Sequence, residues 1–295
     1  MEVLCVGHAS FDVTMRVTRH PAADEKMQAE ALQLAGGGPA ANAAVQVARL
    51  GGSAGFAGRL GRDVFGELHL RELMAEGVDV RGVVRRGGTP LSEILAKPDG
   101  TRSVINYHDG CVLASDALDL RGVRPQVLLF DGHEPRLSAR LCAWARQEGI
   151  PTVLDAGSLR EGTRMLAGRV DHLVASERFA REFTARVSRD EMLARLAEVA
   201  PHVVITLGAD GLLWSFPQGA GRLPAFAVTA VDSTGAGDAF HGAYALALAR
   251  GMRDLERLRW ASAAGALACT RLGARAALPD HEAVARLLAE QDAME

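Results

Sequence analysis

Lysine is nearly absent from this chain: Lys26 and Lys97 are the only two among 33 basic residues. The arginines that replace it are interspersed with 36 acidic residues for a net charge of −3. No basic stripe is left for nucleic acid or an anionic membrane, so a small-molecule partner is expected. Cysteine is scarce too, and Cys5, Cys111, Cys142 and Cys269 lie far apart with no C-x-x-C pair and no histidine cluster at zinc spacing. Cys5, Cys142 and Cys269 sit in apolar stretches and are expected to be buried thiols. No run reaches the roughly 18 apolar residues of a membrane span. Met1-Glu2-Val3-Leu4-Cys5-Val6-Gly7 is not a basic leader, and a cytoplasmic protein is expected.

Three well-known motifs are missing or misplaced. There is no G-x-x-x-x-G-K-[ST], which excludes a P-loop kinase. Gly51-Gly52-Ser53-Ala54-Gly55 fits G-x-S-x-G, but a helix precedes it and a strand follows, the reverse of a nucleophile elbow. Gly36 to Ala41 fits G-x-G-x-x-A yet does not follow the first buried strand, and no acid closes a second strand near Gly58.

Short apolar runs alternate with amphipathic stretches. Val3 to Val6, Val127 to Phe130, Thr152 to Leu154, Leu173 to Ala175 and Val203 to Thr206 read as buried parallel strands. Ala40 to Leu50, Leu137 to Glu148, Ala239 to Arg250, Leu255 to Ala268 and His281 to Glu290 carry helical spacing. The alternation predicts an α/β fold. Two segments, Val13 to Leu34 and Gly87 to Tyr107, alternate polar and apolar residues instead, and Pro98-Asp99-Gly100 is a hairpin signal. They are expected to form a small antiparallel accessory sheet. There is no internal repeat and no low-complexity linker, so the 295 residues are expected to make one main domain with that appendage.

The chemistry concentrates in Val231-Asp232-Ser233-Thr234-Gly235-Ala236-Gly237-Asp238-Ala239-Phe240, between a strand candidate over Ala225 to Val231 and the start of a helix. Small residues let backbone N–H groups converge at a positive helix end, where they can receive the charge of a transferring phosphoryl group. A carboxylate at Asp238 is then placed to take the proton of an attacking hydroxyl. Taken alone, the string fits a plain strand-to-helix turn equally well.

This stretch resembles the signature of ribokinase-like carbohydrate kinases, the phosphofructokinase B family. Gly36-Gly37-Gly38-Pro39-Ala40-Ala41-Asn42-Ala43 resembles the family's amino-terminal glycine motif, in the same order along the chain. The resemblance implies a three-layer fold, a central mostly parallel sheet flanked by helices, with a small β lid over about 13–35 and 87–108 that also pairs two subunits. It implies a kinase that transfers the γ-phosphoryl of ATP to a sugar hydroxyl, with Asp238 as base and Gly235, Ala236 and Gly237 as the anion hole. Asp12, Gly37, Gly38 and Asn42 would grip the sugar. Ile205-Thr206-Leu207-Gly208-Ala209-Asp210-Gly211 resembles the nucleotide-side turn, which assigns Thr206, Gly208 and Gly211 to ATP. Ala268-Cys269-Thr270-Arg271-Leu272-Gly273-Ala274 resembles a loop that holds a monovalent cation, so carbonyls of Ala268, Arg271 and Gly273 with the Asp232 and Thr234 region are the candidate potassium ligands. Ala277 stands where ribokinase has a serine, leaving that set one ligand short.

The chain also departs from the family. Ser176-Glu177-Arg178-Phe179 replaces the Asn-x-x-Glu pattern that organises magnesium, which leaves Ser176 for ATP and Glu177, from a shifted position, for the magnesium network. The Gly-Gly-Gly-Pro-Ala-Ala form, His241 and the run Arg271 to Pro279 are most similar to the branch of ketohexokinase and sulfofructose kinase. Lys26 and Asn106 occupy places where sulfofructose kinase holds its sulfonate. The arginine expected after Val127 to Phe130 is replaced by Gly132-His133-Glu134, making His133 the candidate there and weakening the anion clamp. The expected activity is therefore an ATP- and magnesium-dependent kinase of a small sugar, a ketose or sugar derivative. A nucleoside or phosphosugar kinase of the same fold and a non-catalytic sugar-binding regulator are the alternatives.

Overall fold

The computed structural model describes residues 1–97, 101–119 and 122–293. In chain order the strands are β1 (Val3–Gly7), β2 (Ser10–Arg16), β3 (Ala31–Gly37), β4 (Ala54–Leu60), β5 (Asp79–Arg85), β6 (Leu91–Ala96), β7 (Arg102–Tyr107), β8 (Val127–Phe130), β9 (Thr152–Ala156), β10 (His172–Ser176), β11 (His202–Thr206), β12 (Leu212–Phe216) and β13 (Gly219–Leu223). The helices are α1 (Pro39–Arg49), α2 (Val64–Ala75), α3 (Pro135–Glu148), α4 (Glu161–Leu166), α5 (Glu177–Thr184), α6 (Arg189–Ala197), α7 (Ala236–Ala249), α8 (Asp254–Ala268) and α9 (His281–Asp292). No described helix is long and apolar enough to cross a membrane.

The main sheet has nine strands in the order β13-β12-β11-β10-β9-β8-β1-β4-β5. All neighbours from β11 to β5 run parallel, and β12 and β13 close one edge antiparallel. The parallel strands are covered on both faces, which is why their sequences are continuous apolar runs. Side chains of period two then sort between two cores. Val3 and Cys5 face a core built with α1, α7, α8 and α9, whereas Leu4 and Val6 face one built with α3, α4, α5 and α6. From β1 the chain builds outward to β4 and β5, then returns to lay β8 on the other side of β1. Loops leaving β1 and β8 thus diverge at a switch point, the place where open α/β sheets form clefts.

The two irregular segments hold the second sheet, four strands in the order β3-β2-β6-β7. It is not wholly antiparallel as expected: two antiparallel hairpins join through a parallel β2–β6 pair. The reason is topological, since β2 and β6 leave the same ends of the parallel strands β1 and β5 and so set out in the same direction. The hairpin signal at Pro98-Asp99-Gly100 lies outside the described residues. Leu32 and Leu34 of β3 and Val104, Ile105 and Tyr107 of β7 are exposed.

The strand expected over Ala225 to Val231 does not form. β13 already occupies the sheet edge, and the N–H groups of Val231 and Asp232 donate instead to Cys269 O, at 2.8 and 3.2 Å. Helix α7 begins at Ala236 rather than Ala239, because Gly235 takes a left-handed conformation (φ 81°) and starts the helix early. Gly237 and Asp238 therefore lie in its first turn.

Candidate active site

Helices α1 and α7 pack side by side in the core and bring their polar starts together. Asn42 Nδ2 donates to Asp238 Oδ2 at 2.7 Å, joining the two sequence motifs across 196 residues. Burial, then the nearby Asp155 carboxylate, pushes the Asp238 carboxyl up to about 6, against the opposing pull of Asn42 and His241. Among the described residues no side chain caps α7. The Ala236 N–H donates to Ser233 O at 3.3 Å, which leaves those of Gly237 and Asp238 to an anionic ligand. At Gly235 a Cβ would stand 2.9 Å from both Cα and Cβ of Ala274 and would push that loop off the turn.

Asp12 lies on β2 and accepts a hydrogen bond from Ser10 Oγ at 3.1 Å. Burial raises its carboxyl above the ordinary value. Gly37 pairs with Ser10 on the neighbouring strand, and any side chain at that glycine would collide with the Asp12 carboxylate. Gly38 (φ 94°) turns the chain into α1, where Pro39 suits the first helical position.

Asp12, Gly38, Asn42, Asn106, His133 and Asp238 line one cleft of about 650 Å³. Its walls come from the ends of β1 and β8, the start of α1 and the small sheet. Lys26 is not brought to it: it sits exposed in the long connection between β2 and β3, away from the lining.

Asp131, which sequence reasoning passed over, ties the cleft floor together. Its buried carboxylate accepts from the N–H groups of His8 (2.7 Å), Ala40 (3.2 Å) and His133 (2.9 Å), and His133 Nδ1 lies 3.2 Å away. Burial raises its pKa, but His133 and the backbone donors outweigh that and hold the carboxyl well below the usual range. His8 stacks on His133 with ring centroids 4.5 Å apart. Burial and the neighbouring His133 lower His8 to about 3 and keep it neutral. An aspartate directly after a buried strand was the available signal.

The nucleotide-side residues cluster at the ends of β10 and β11, where Ser176 and Thr206 are register partners. Their hydroxyls already have internal roles. Ser176 Oγ accepts from Phe179 N at 3.0 Å and donates to Gly157 O at 2.9 Å, capping α5. Thr206 Oγ1 donates to Ala175 O at 3.4 Å. Gly208 (φ 61°) and Gly211 (φ 85°) shape the turn between β11 and β12. Glu177, expected in a magnesium network, is bound through both oxygens by Arg189, at 2.8 and 3.2 Å. An arginine at the start of α6 engages both oxygens of this carboxylate, which the local string gave no means to see.

The candidate potassium loop shows a similar competition. Asp232 Oδ1 accepts from Thr234 N (2.9 Å), Thr234 Oγ1 (2.6 Å) and Arg102 Nη1 (2.9 Å), and Oδ2 accepts from Gly273 N (2.9 Å). Ala268 and Arg271 flank the turn that closes on it. The guanidinium of Arg102 on β7 thus already balances the carboxylate that a potassium ion would need, and it ties the small sheet to this loop.

The profile of pfkB family carbohydrate kinases matches residues 1–281. The ATP-dependent ribose-1-phosphate kinase of Halopiger xanaduensis is 35% identical, with 99% of each chain covered. Among solved structures, ribokinase from Thermotoga maritima superposes with a TM-score of 0.87 at 25% identity, covering 98% of this chain and 99% of its own. Arabidopsis thaliana ribokinase complexed with ribose and ATP gives 0.85 at 26% identity, covering 97% and 98%. These similarities carry the family and its fold without singling out the ketohexokinase branch.

Proposed function

Since the chain belongs to the pfkB family of carbohydrate kinases, we propose that it is an ATP-dependent kinase whose acceptor is a hydroxyl of a small sugar or sugar phosphate, with Asp238 as the base. The observation that carries this reading is the Asn42–Asp238 pair beside the uncapped start of α7. A sugar held by Asp12 and Asn42 presents its hydroxyl to Asp238. As the new O–P bond forms, Asp238 takes the hydroxyl proton, the bond from the γ-phosphorus to ADP breaks, and the Gly235 to Gly237 turn receives the developing charge. The small sheet acts as a lid that keeps water from the same phosphorus.

Magnesium usually reaches a kinase through the nucleotide phosphates and one or two carboxylates rather than a protein cage. Among the described residues no group of three or more His, Cys, Asp or Glu forms such a cage.

An acceptor that already carries phosphate is favoured by the cleft lining, which includes Arg160 and His133 beside the ion-paired Arg59 and Arg102, and by the ribose-1-phosphate kinase relative. A panel of ribose, fructose, ribose 1-phosphate and nucleosides with ATP and magnesium decides between these acceptors. Turnover of ribose 1-phosphate well above the free sugars selects the phosphosugar, and activity confined to nucleosides overturns both sugar readings. The exposed apolar residues of the small sheet fit a second copy of the chain. Sedimentation as a monomer at assay concentrations, with full activity, would remove the dimer from this picture.

A further inference from the structure

Arg275 is nearly inaccessible, with 3% of its surface exposed, in the loop between α8 and α9. Its guanidinium is surrounded. Nε donates to Asn42 Oδ1 at 3.0 Å, one Nη lies 3.2 Å from His69 Nε2, and the other is 3.4 Å from Glu72 Oε1. The second Glu72 oxygen accepts from Gly36 N at 2.6 Å, so the arginine is braced against the glycine motif as well. The Arg275 carbonyl in turn accepts from Arg49 Nη1 at 2.9 Å, fixing the loop to α1.

A guanidinium has donors and no acceptor, whereas a primary amide offers one of each on opposite sides. The amide oxygen of Asn42 must therefore face Arg275, which forces its NH2 toward Asp238. A reversed amide would set its oxygen against the Asp238 carboxylate, an arrangement that is satisfied only when the carboxyl is protonated and inactive as a base. We propose that Arg275 is a positioning residue, which by its donor-only contact locks the Asn42 amide in the orientation that keeps Asp238 ionised and in place. This rests on the reading of Asp238 as the base. The groups that act on Asp238 are Asn42 from α1 by a hydrogen bond and, through their charge, Asp155 from β9, Asp131 from the end of β8 and His241 on α7 itself. Of these, Asn42 is the one amide, whose donor and acceptor ends exchange on a half-turn.

The test compares Arg275→Lys, which keeps a donor-only group, with Arg275→Gln, which offers both a donor and an acceptor. In R275Q the acid limb of kcat/KM moves up by about one pH unit, so activity falls roughly fivefold more at pH 6 than at pH 8, with KM for ATP unchanged. R275K retains the wild-type limb. A uniform loss at every pH in R275Q would make Arg275 a packing residue and overturn the proposal. One measurement needs neither a variant nor turnover: in the wild-type protein the side-chain amide resonances of Asn42 follow the ionisation of Asp238 between about pH 5 and 8. An amide that does not respond overturns the relay even if the kinase reading stands. A response in a protein that phosphorylates no sugar would leave the relay intact and remove only the function.

Discussion

Replacing Asp238 with Asn leaves a protein that binds its sugar but turns over about a thousandfold more slowly or worse, since a positioned general base contributes roughly 10²- to 10⁴-fold. The amide of D238N would preserve shape and an oxygen for Asn42 Nδ2 to donate to. The loss should therefore fall on kcat while the sugar dissociation constant, read by calorimetry, stays within a few fold. Near-wild-type turnover would remove Asp238 from the base role. The wild-type pH profile carries a second signature. With its carboxyl pushed up to about 6 by burial and Asp155, Asp238 loses its ionised form as pH drops below that value. kcat/KM should fall about tenfold per pH unit on that limb, and D238N should lack it. Stability moves the other way. A folded-state pKa raised above the ordinary 3.8 gives a contribution fully present below that value and lost as pH rises through about 6. At neutral pH the uncharged D238N should therefore unfold at somewhat higher urea than the wild type, the familiar opposition between a strained site and a stable one.

Asp131→Asn is expected to produce the largest loss of stability outside the hydrophobic core. Three N–H groups converge on this carboxylate from the end of β1, the start of α1 and the loop after β8. An amide there would turn an NH2 toward donors that then have no acceptor, at a cost of about 3 kcal/mol. The change should appear as a lower urea midpoint with an unchanged slope, and an unchanged midpoint would show that the three segments hold without it. Because the folded-state pKa of Asp131 is depressed, its contribution is present above the ordinary aspartate value and is lost only as pH falls through the depressed one. The wild-type advantage over D131N should hold across the neutral range and shrink only in strong acid. Gly7 shows how tightly the site is built, since any side chain there would overlap the same carboxylate.

How much of this was legible beforehand depended on how local each cause was. The buried strands β1, β8, β9, β10 and β11 could be read because burial on both faces demands continuous apolar runs. The start of α1 was readable from Pro39 after Gly38, and the turn into α7 from small residues ahead of an aspartate. The strand expected over Ala225 to Val231 failed because an apolar run does not reveal whether a sheet edge is free to receive it. The parallel β2–β6 pair was hidden because the direction of a strand is set by the strand it leaves.

The chain by itself therefore determined an α/β fold and the two glycine turns, which follow from neighbours within a few positions. The kinase reading and the carboxylate proposed as base came with the resemblance to carbohydrate kinases. Only the tertiary structure decided which charges satisfy one another. Arg189 claims Glu177, Arg102 claims Asp232, and Arg275 contacts the amide of Asn42 that faces Asp238. A carboxylate or an amide has few hydrogen-bonding positions, and which distant partner fills them is settled by strand order and helix packing, over separations that sequence spacing does not encode.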